Sequence, residues 1–114
     1  VNRWNYFQDS EVAGLDVELV AMLDRARGIA GIPFLITCGL RTQAQNDALP
    51  QSVKDSAHLT GHAVDISCTE SNQRFKITSA FISAGFKRIG IYADGHIHVD
   101  NDTSKPQGVM WLVV

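Results

Sequence analysis

Little in this sequence points to a membrane, a nucleic acid or a disulfide-built scaffold. No apolar run comes near the roughly 20 residues that cross a bilayer, so no membrane-spanning helix is expected. Neither sign of charge is in excess: the net charge is −2 at pH 7 and the ten basic residues are scattered. No basic face is therefore available to attract nucleic acid or an anionic lipid surface. Only two cysteines occur, Cys38 and Cys68. Each lies in an apolar, strand-like run where a thiol behaves as a small hydrophobe, and both are read as free and buried. The N-terminus lacks the basic-then-apolar order of a secretory signal, which leaves the compartment open. Internal repeats, low-complexity tracts and linkers are also missing. With 114 residues, 45% of them hydrophobic, the chain has enough material for one core. A single domain over residues 1–114, acting as a monomer, is expected.

Hydrophobic spacing fixes a coarse layout. The first dozen residues, with Trp4, Tyr6 and Phe7, form an irregular arm tacked on by its aromatics. From Asp16, a capping residue, to Ala30, apolar residues recur at Leu19, Leu23, Ala26 and Ala30, which predicts a helix that Gly31 and Pro33 stop. Phe34–Cys38 is a short apolar run and reads as a buried strand. Residues 39–60 are a polar connection with a helical turn around Thr42–Leu49, broken by Pro50. His62–Cys68 alternates as a strand, Val64 and Ile66 on one face and Ala63, Asp65 and Ser67 on the other. Glu70–Ala84 predicts a second helix, started by Thr69 or Ser71, carrying Phe75, Phe81 and Ile82 and closed by Gly85. Lys87–Ala93, Asp94-Gly95 and His96–Asn101 spell a hairpin, and Val109–Val114 adds an edge strand.

Chemistry concentrates in two short stretches, Ser56-Ala57-His58-Leu59-Thr60-Gly61-His62-Ala63-Val64-Asp65 and His96-Ile97-His98. His58, Asp65 and His98 supply two imidazoles and a carboxylate, a three-donor set that suits one zinc ion and leaves a fourth position open. Calcium and magnesium prefer mainly oxygen donors, which the histidines argue against. Alternation places His62 off the Asp65 face, and Cys68, three residues beyond Asp65, on the opposite one. In the hairpin, His96, His98 and Asp100 share a face; His96 is suited to proton transfer and Asp100 to orienting a zinc-binding imidazole. Gly61 lets the backbone turn closely under the site.

Ser56, His58, Gly61, Ala63 and Asp65, with His98 downstream, follow the pattern Ser-x-His-x-x-Gly-x-Ala-x-Asp…His. In this the chain resembles the zinc peptidases that include D-alanyl-D-alanine carboxypeptidases, the D-Ala-D-Ala dipeptidases of vancomycin resistance and phage L-alanoyl-D-glutamate endolysins. Ile36-Thr37-Cys38-Gly39-Leu40-Arg41-Thr42 is similar to that family's strand ending in a substrate-binding arginine. The resemblance implies an α+β fold: a small antiparallel sheet packed against helices, with zinc on the open sheet face. It implies a peptidoglycan stem peptide as substrate and action at the bacterial cell wall or periplasm, by an enzyme of phage or bacterial origin. Arg41 and Ser56 would hold the substrate while zinc polarises the scissile carbonyl, and Asp94 or His96 would deprotonate the attacking water. One position departs from the pattern, because the family's acidic residue ahead of the last zinc histidine falls here on Gly95. That departure motivates the alternative of an inactive zinc-containing binding module, as in the hedgehog signalling domain, whose His-x-His pair is similar to His96-Ile97-His98.

Overall fold

Asp16 closes the irregular N-terminal arm and opens the first helix by accepting the N–H of Leu19 at 3.1 Å, which satisfies one of the donors a helix start leaves unpaired. In the computed structural model, which describes residues 3–50 and 53–114, α1 spans Val17–Ala30 and buries Leu19, Val20, Leu23 and Ala26. The arm is held by more than its aromatics. Asp24, on α1, accepts the backbone N–H groups of Asn5 and Tyr6 at 3.2 and 2.9 Å, while Phe7 is buried in the core. Residues 1–2 of the expected arm and 51–52 of the expected connection lie outside the described residues.

The elements that follow are β1 (Ile36–Cys38), α2 (Gln43–Asp47), a 3-10 turn (Ala57–Thr60), β2 (Ala63–Ser67), α3 (Ser71–Ser83), β3 (Arg88–Tyr92), β4 (His96–Asp100) and β5 (Val109–Val113). The strands form one sheet in the order β1-β2-β4-β3-β5. Three pairings are antiparallel, but β5 joins β3 in parallel, so the sheet is mixed where a wholly antiparallel one was expected. The connection between residues 101 and 108 crosses the end of β3, since Asp100 and Val109 both pair with Arg88, so β5 starts beside the start of β3 and runs parallel to it.

Three other expectations need correction. The run Phe34–Cys38 is a strand only from Ile36 and is half-exposed, because it is the sheet's edge and carries an irregular register between Ile36 and Cys38. In α3, Phe75 and Ile82 face solvent, with 74% and 58% of their surface exposed. The buried stripe runs instead through Ile77, Ala80, Phe81 and Ala84, the i, i+3, i+4, i+7 spacing of one helix face, and Phe75 falls opposite it. The residue preceding α3 is Glu70, which makes no side-chain capping bond; neither Thr69 nor Ser71 takes that place.

α1 and α3 cover one face of the sheet, where Val64, Ile66, Ile89, Ile97 and Val99 join the helix side chains in a single apolar cluster. Alternation sends the intervening residues to the other face. There the register draws transverse rows. Cys38, Asp65, His98, Gly90 and Trp111 are successive partners across all five strands, and Ser67, His96 and Tyr92 form a neighbouring row. Ala63, Asp100 and Arg88 form a third. No helix among the described residues is long and apolar enough to cross a membrane.

Gly61 ends the 3-10 turn with φ at 76°, and a Cβ there would lie 2.6 Å from the carbonyl oxygen of Gly14. Its own carbonyl accepts the N–H of Asp16 at 2.8 Å, so this turn is seated on the start of α1. Gly61→Val combines a left-handed backbone with a clash against main chain, and a loss of about 2 kcal/mol or more is expected. The midpoint of thermal unfolding should then fall by roughly 10 °C. An unchanged midpoint would show that the loop relaxes without strain.

Candidate metal centre

Three short pieces of chain bring the site together. The 3-10 turn carries His58, and Ser56 caps it, its hydroxyl accepting the N–H of His58 at 3.3 Å. β2 carries Asp65, and β4 carries His98 directly opposite it in the ladder. His58 Nε2 lies 3.2 Å and His98 Nδ1 3.1 Å from the same oxygen, Asp65 Oδ1. The rear nitrogen of each ring is also engaged. His58 Nδ1 donates to the Gly39 carbonyl at 2.7 Å, and His98 Nε2 is 2.6 Å from Asp100 Oδ2.

This arrangement fits a metal ion. A ring that donates through its far nitrogen presents a bare lone pair at the near one, and both near nitrogens here face the Asp65 carboxylate. Donors bonded to zinc at about 2.0–2.1 Å in a tetrahedron stand about 3.3–3.4 Å apart, close to the 3.2 and 3.1 Å between Asp65 Oδ1 and each ring nitrogen. Asp100, only 1% exposed, is fixed behind His98 by Arg88 Nε at 2.8 Å and by the N–H of Asp102 at 3.1 Å. It therefore stands directly behind the His98 ring.

A family profile described as Peptidase M15 matches residues 3–100. The chain belongs to the peptidase M15 family. The crystal structure of Serratia marcescens L-Ala D-Glu endopeptidase ChiX is similar, with a TM-score of 0.70 over 91% of this chain and 92% of that one. At 20% sequence identity that likeness concerns the fold. No curated protein matches the chain at a significant level.

M15 peptidases are metallopeptidases, and the remaining site residues of this M15 chain surround the donor set in a cleft of about 800 Å³. Arg41 lines it, held by Asn46 Oδ1 at 2.8 Å with its other terminal nitrogen 4.0 Å from Asp65 Oδ2. Ser56 also borders the cleft, but its hydroxyl is engaged by the backbone of His58. His96 stacks on Tyr92 with ring centroids 4.0 Å apart and sets Nε2 3.9 Å from Asp65 Oδ2. Asp94 also borders the cleft, its carboxylate bonded to His96 Nδ1 and to the N–H of His96. Gly95 has a left-handed backbone, φ at 100°, that strains any other residue, and a Cβ there would lie 2.8 Å from the Thr69 methyl. His62 lies apart, Nε2 3.8 Å from Asp16, and Cys68 is buried in the core.

Several residues at the site were not anticipated. Cys38 was expected to be a buried hydrophobe; it is a free, half-buried thiol lining the cleft, Sγ 3.8 Å from His58 Nδ1. Cys38, His58 and Asp65 each place one donor atom within 4.8 Å of the others, and His98 Nδ1 reaches the Asp65 carboxylate from the next strand. Pairing of the run at 36–38 with β2 was the missing signal. Arg88 was legible in principle, since a hairpin folded at residues 93–95 sets it opposite Asp100. Trp111 lies over Gly90, where a Cβ would come within 2.7 Å of its ring, and reaches His98 at a centroid distance of 5.4 Å.

The donors strongly bias one another's protonation. Burial disfavours charge on Asp65, but hydrogen bonds from His58 and His98 outweigh it and hold the carboxyl far below the usual range. Burial likewise opposes charge on His58, yet Asp65, with Cys38 and the Gly39 carbonyl, lifts its pKa to about 9. His98 is also raised: burial opposes its charge, but Asp100 and Asp65 favour it more. Because its folded pKa exceeds the ordinary 6.5, protonated His58 stabilises the chelator-treated protein fully below pH 6.5, and the benefit is lost as pH rises to about 9. A metal needs the same lone pair, so loading at pH 7 should expel at least one proton, and affinity should climb between pH 7 and 9. Calorimetric titration with zinc in buffers of different ionisation heat measures this; zero proton release at pH 7 would contradict it.

Proposed function

We propose that this protein is a zinc-dependent peptidase that hydrolyses a peptide bond in peptidoglycan stem peptides, with one zinc held by His58, Asp65 and His98. The observation that carries the reading is the convergence of two imidazole nitrogens on one Asp65 oxygen, with both rear nitrogens occupied by acceptors. Of a carboxypeptidase and an endopeptidase, the second is favoured by the similar fold of an L-Ala D-Glu endopeptidase. Its place of action is taken to be the bacterial cell wall or periplasm, as a monomer.

A zinc ion held there supplies Lewis acidity, making water easier to deprotonate and a carbonyl easier to attack. The chain's own residues do the rest. Arg41, with one edge fixed by Asn46 and the other toward the cleft, holds a substrate carboxylate or carbonyl through its planar donor fork. Ser56 keeps the His58 turn in place. His96 takes the proton of the attacking water at Nε2 and returns it to the leaving amine, while Asp94 keeps its Nδ1 engaged. Asp100, backed by Arg88, holds the His98 ring in one orientation.

Purified protein incubated with peptidoglycan should release new amino groups, identified by mass spectrometry at one peptide bond, and a chelator should stop the release until zinc is restored. Tight zinc binding with no turnover would support the inactive binding module that Gly95 motivates. Replacing the proton carrier should affect the chemistry more than binding. His96→Ala is expected to lower kcat by about 10²–10⁴-fold with KM little changed; a kcat within threefold of the parent would remove His96 from the reaction.

A further inference from the structure

Cys38 stands beside the candidate metal centre, and nothing in the reaction above uses it. The β1–β2 ladder pairs Cys38 with Asp65, so the thiol extends the row of donors on the side of Asp65 away from His98. Its Sγ is 3.8 Å from His58 Nδ1, the ring nitrogen bonded to the Gly39 carbonyl, and 3.5 Å from Arg41 NH2. One donor atom from each of Cys38, His58 and Asp65 falls within 4.8 Å of the others.

We propose that Cys38 is a fourth protein donor to the metal, able to occupy the position that hydrolysis needs open. The centre then has a closed form, held by Cys38, His58, Asp65 and His98, and an open form held by the last three. This rests on the zinc reading above. In closing, the thiol proton passes to solvent and a sulfur lone pair bonds the metal; substrate or water reverses the exchange.

Three features favour it. A thiolate is a soft donor that zinc, cobalt and cadmium accept readily, so it competes well with water for the open position. The Arg41 guanidinium beside the sulfur compensates the negative charge that closing would bring into the cleft. The strand that carries the thiol is also able to move. β1 is a three-residue edge strand with an irregular register next to Cys38, the part of the sheet best able to give. Cys68 cannot substitute, because it is buried in the core and its thiol is directed to the Glu70 carbonyl.

Cobalt(II) replaces zinc and reports a bound thiolate by a sulfur-to-cobalt charge-transfer band in the near ultraviolet. The full chain loaded with cobalt should show that band. Cys38→Ser and Cys38→Ala should lose it while still binding one cobalt, and Cys68→Ser should keep it. Cadmium affinity relative to zinc should fall at least tenfold in Cys38→Ser, with circular dichroism confirming that the variant is folded. Cobalt bound to the native chain without the band, or a band that survives Cys38→Ser, would overturn the proposal and leave the zinc reading intact. A native chain that takes up no cobalt would overturn both.

Discussion

The register of β2 between β1 and β4 is the constraint on which the rest of this molecule depends. In that register Val64 and Ile66 meet Val99 and Ile97 on the helix-covered face, and Asp65 meets His98 on the other. A shift of one residue would expose the apolar pair and drive Asp65 into a core lined by Leu19, Leu23 and Phe81. An uncompensated carboxylate there would cost several kcal/mol. Burial of two aliphatic side chains thus aligns the donors. The hydrophobic core is, in this sense, the positioning device of the site.

Alignment alone would leave several charges and polar atoms in a poorly solvated place, and the surrounding residues answer that problem in sequence. Asp65 is flanked by two imidazoles and faces Arg41. His98 is backed by Asp100, Asp100 by Arg88, and Arg88 lies over the Trp111 ring at 4.9 Å while donating to the Pro106 carbonyl. Charge alternates along this chain of contacts, so each buried group has a partner of opposite sign or an acceptor. The parallel strand β5 belongs to the same arrangement. It brings Trp111 across Gly90 to cover His98, closing the end of the donor row away from Cys38.

What could be read in the sequence followed local periodicity and local spacing. The cap at Asp16, the alternation through Asp65, the shared face of His96, His98 and Asp100, and the tight turn after Ala93 are all fixed by residues close in the chain. The donor set His58, Asp65 and His98 emerged because the pattern of glycine and alanine around it is specific. Cys38 and Arg88 were missed for one reason: their roles follow from partners in other strands, and partnership across a sheet is not written in either strand alone. The exposure of Phe75 has the same origin. Which stripe of α3 faces inward is settled by α1 and the sheet, and a helix with apolar residues on more than one side does not announce the choice.

The hairpin turn bears directly on the proposed reaction, because it leaves residue 95 without an acid. A side chain at this position would be strained, since the backbone is left-handed and a Cβ would press on the Thr69 methyl. The same turn is tied to the end of β2 by a 2.7 Å bond from the Cys68 N–H to the Gly95 carbonyl. An acid one residue earlier, Asp94, borders the cleft and is bonded to His96. His96 spans the remaining distance, and stacking on Tyr92 fixes the plane of its ring. In the proposed reaction the base thus stands on the strand and not in the turn, which leaves intact the turn that sets the register of β3 and β4.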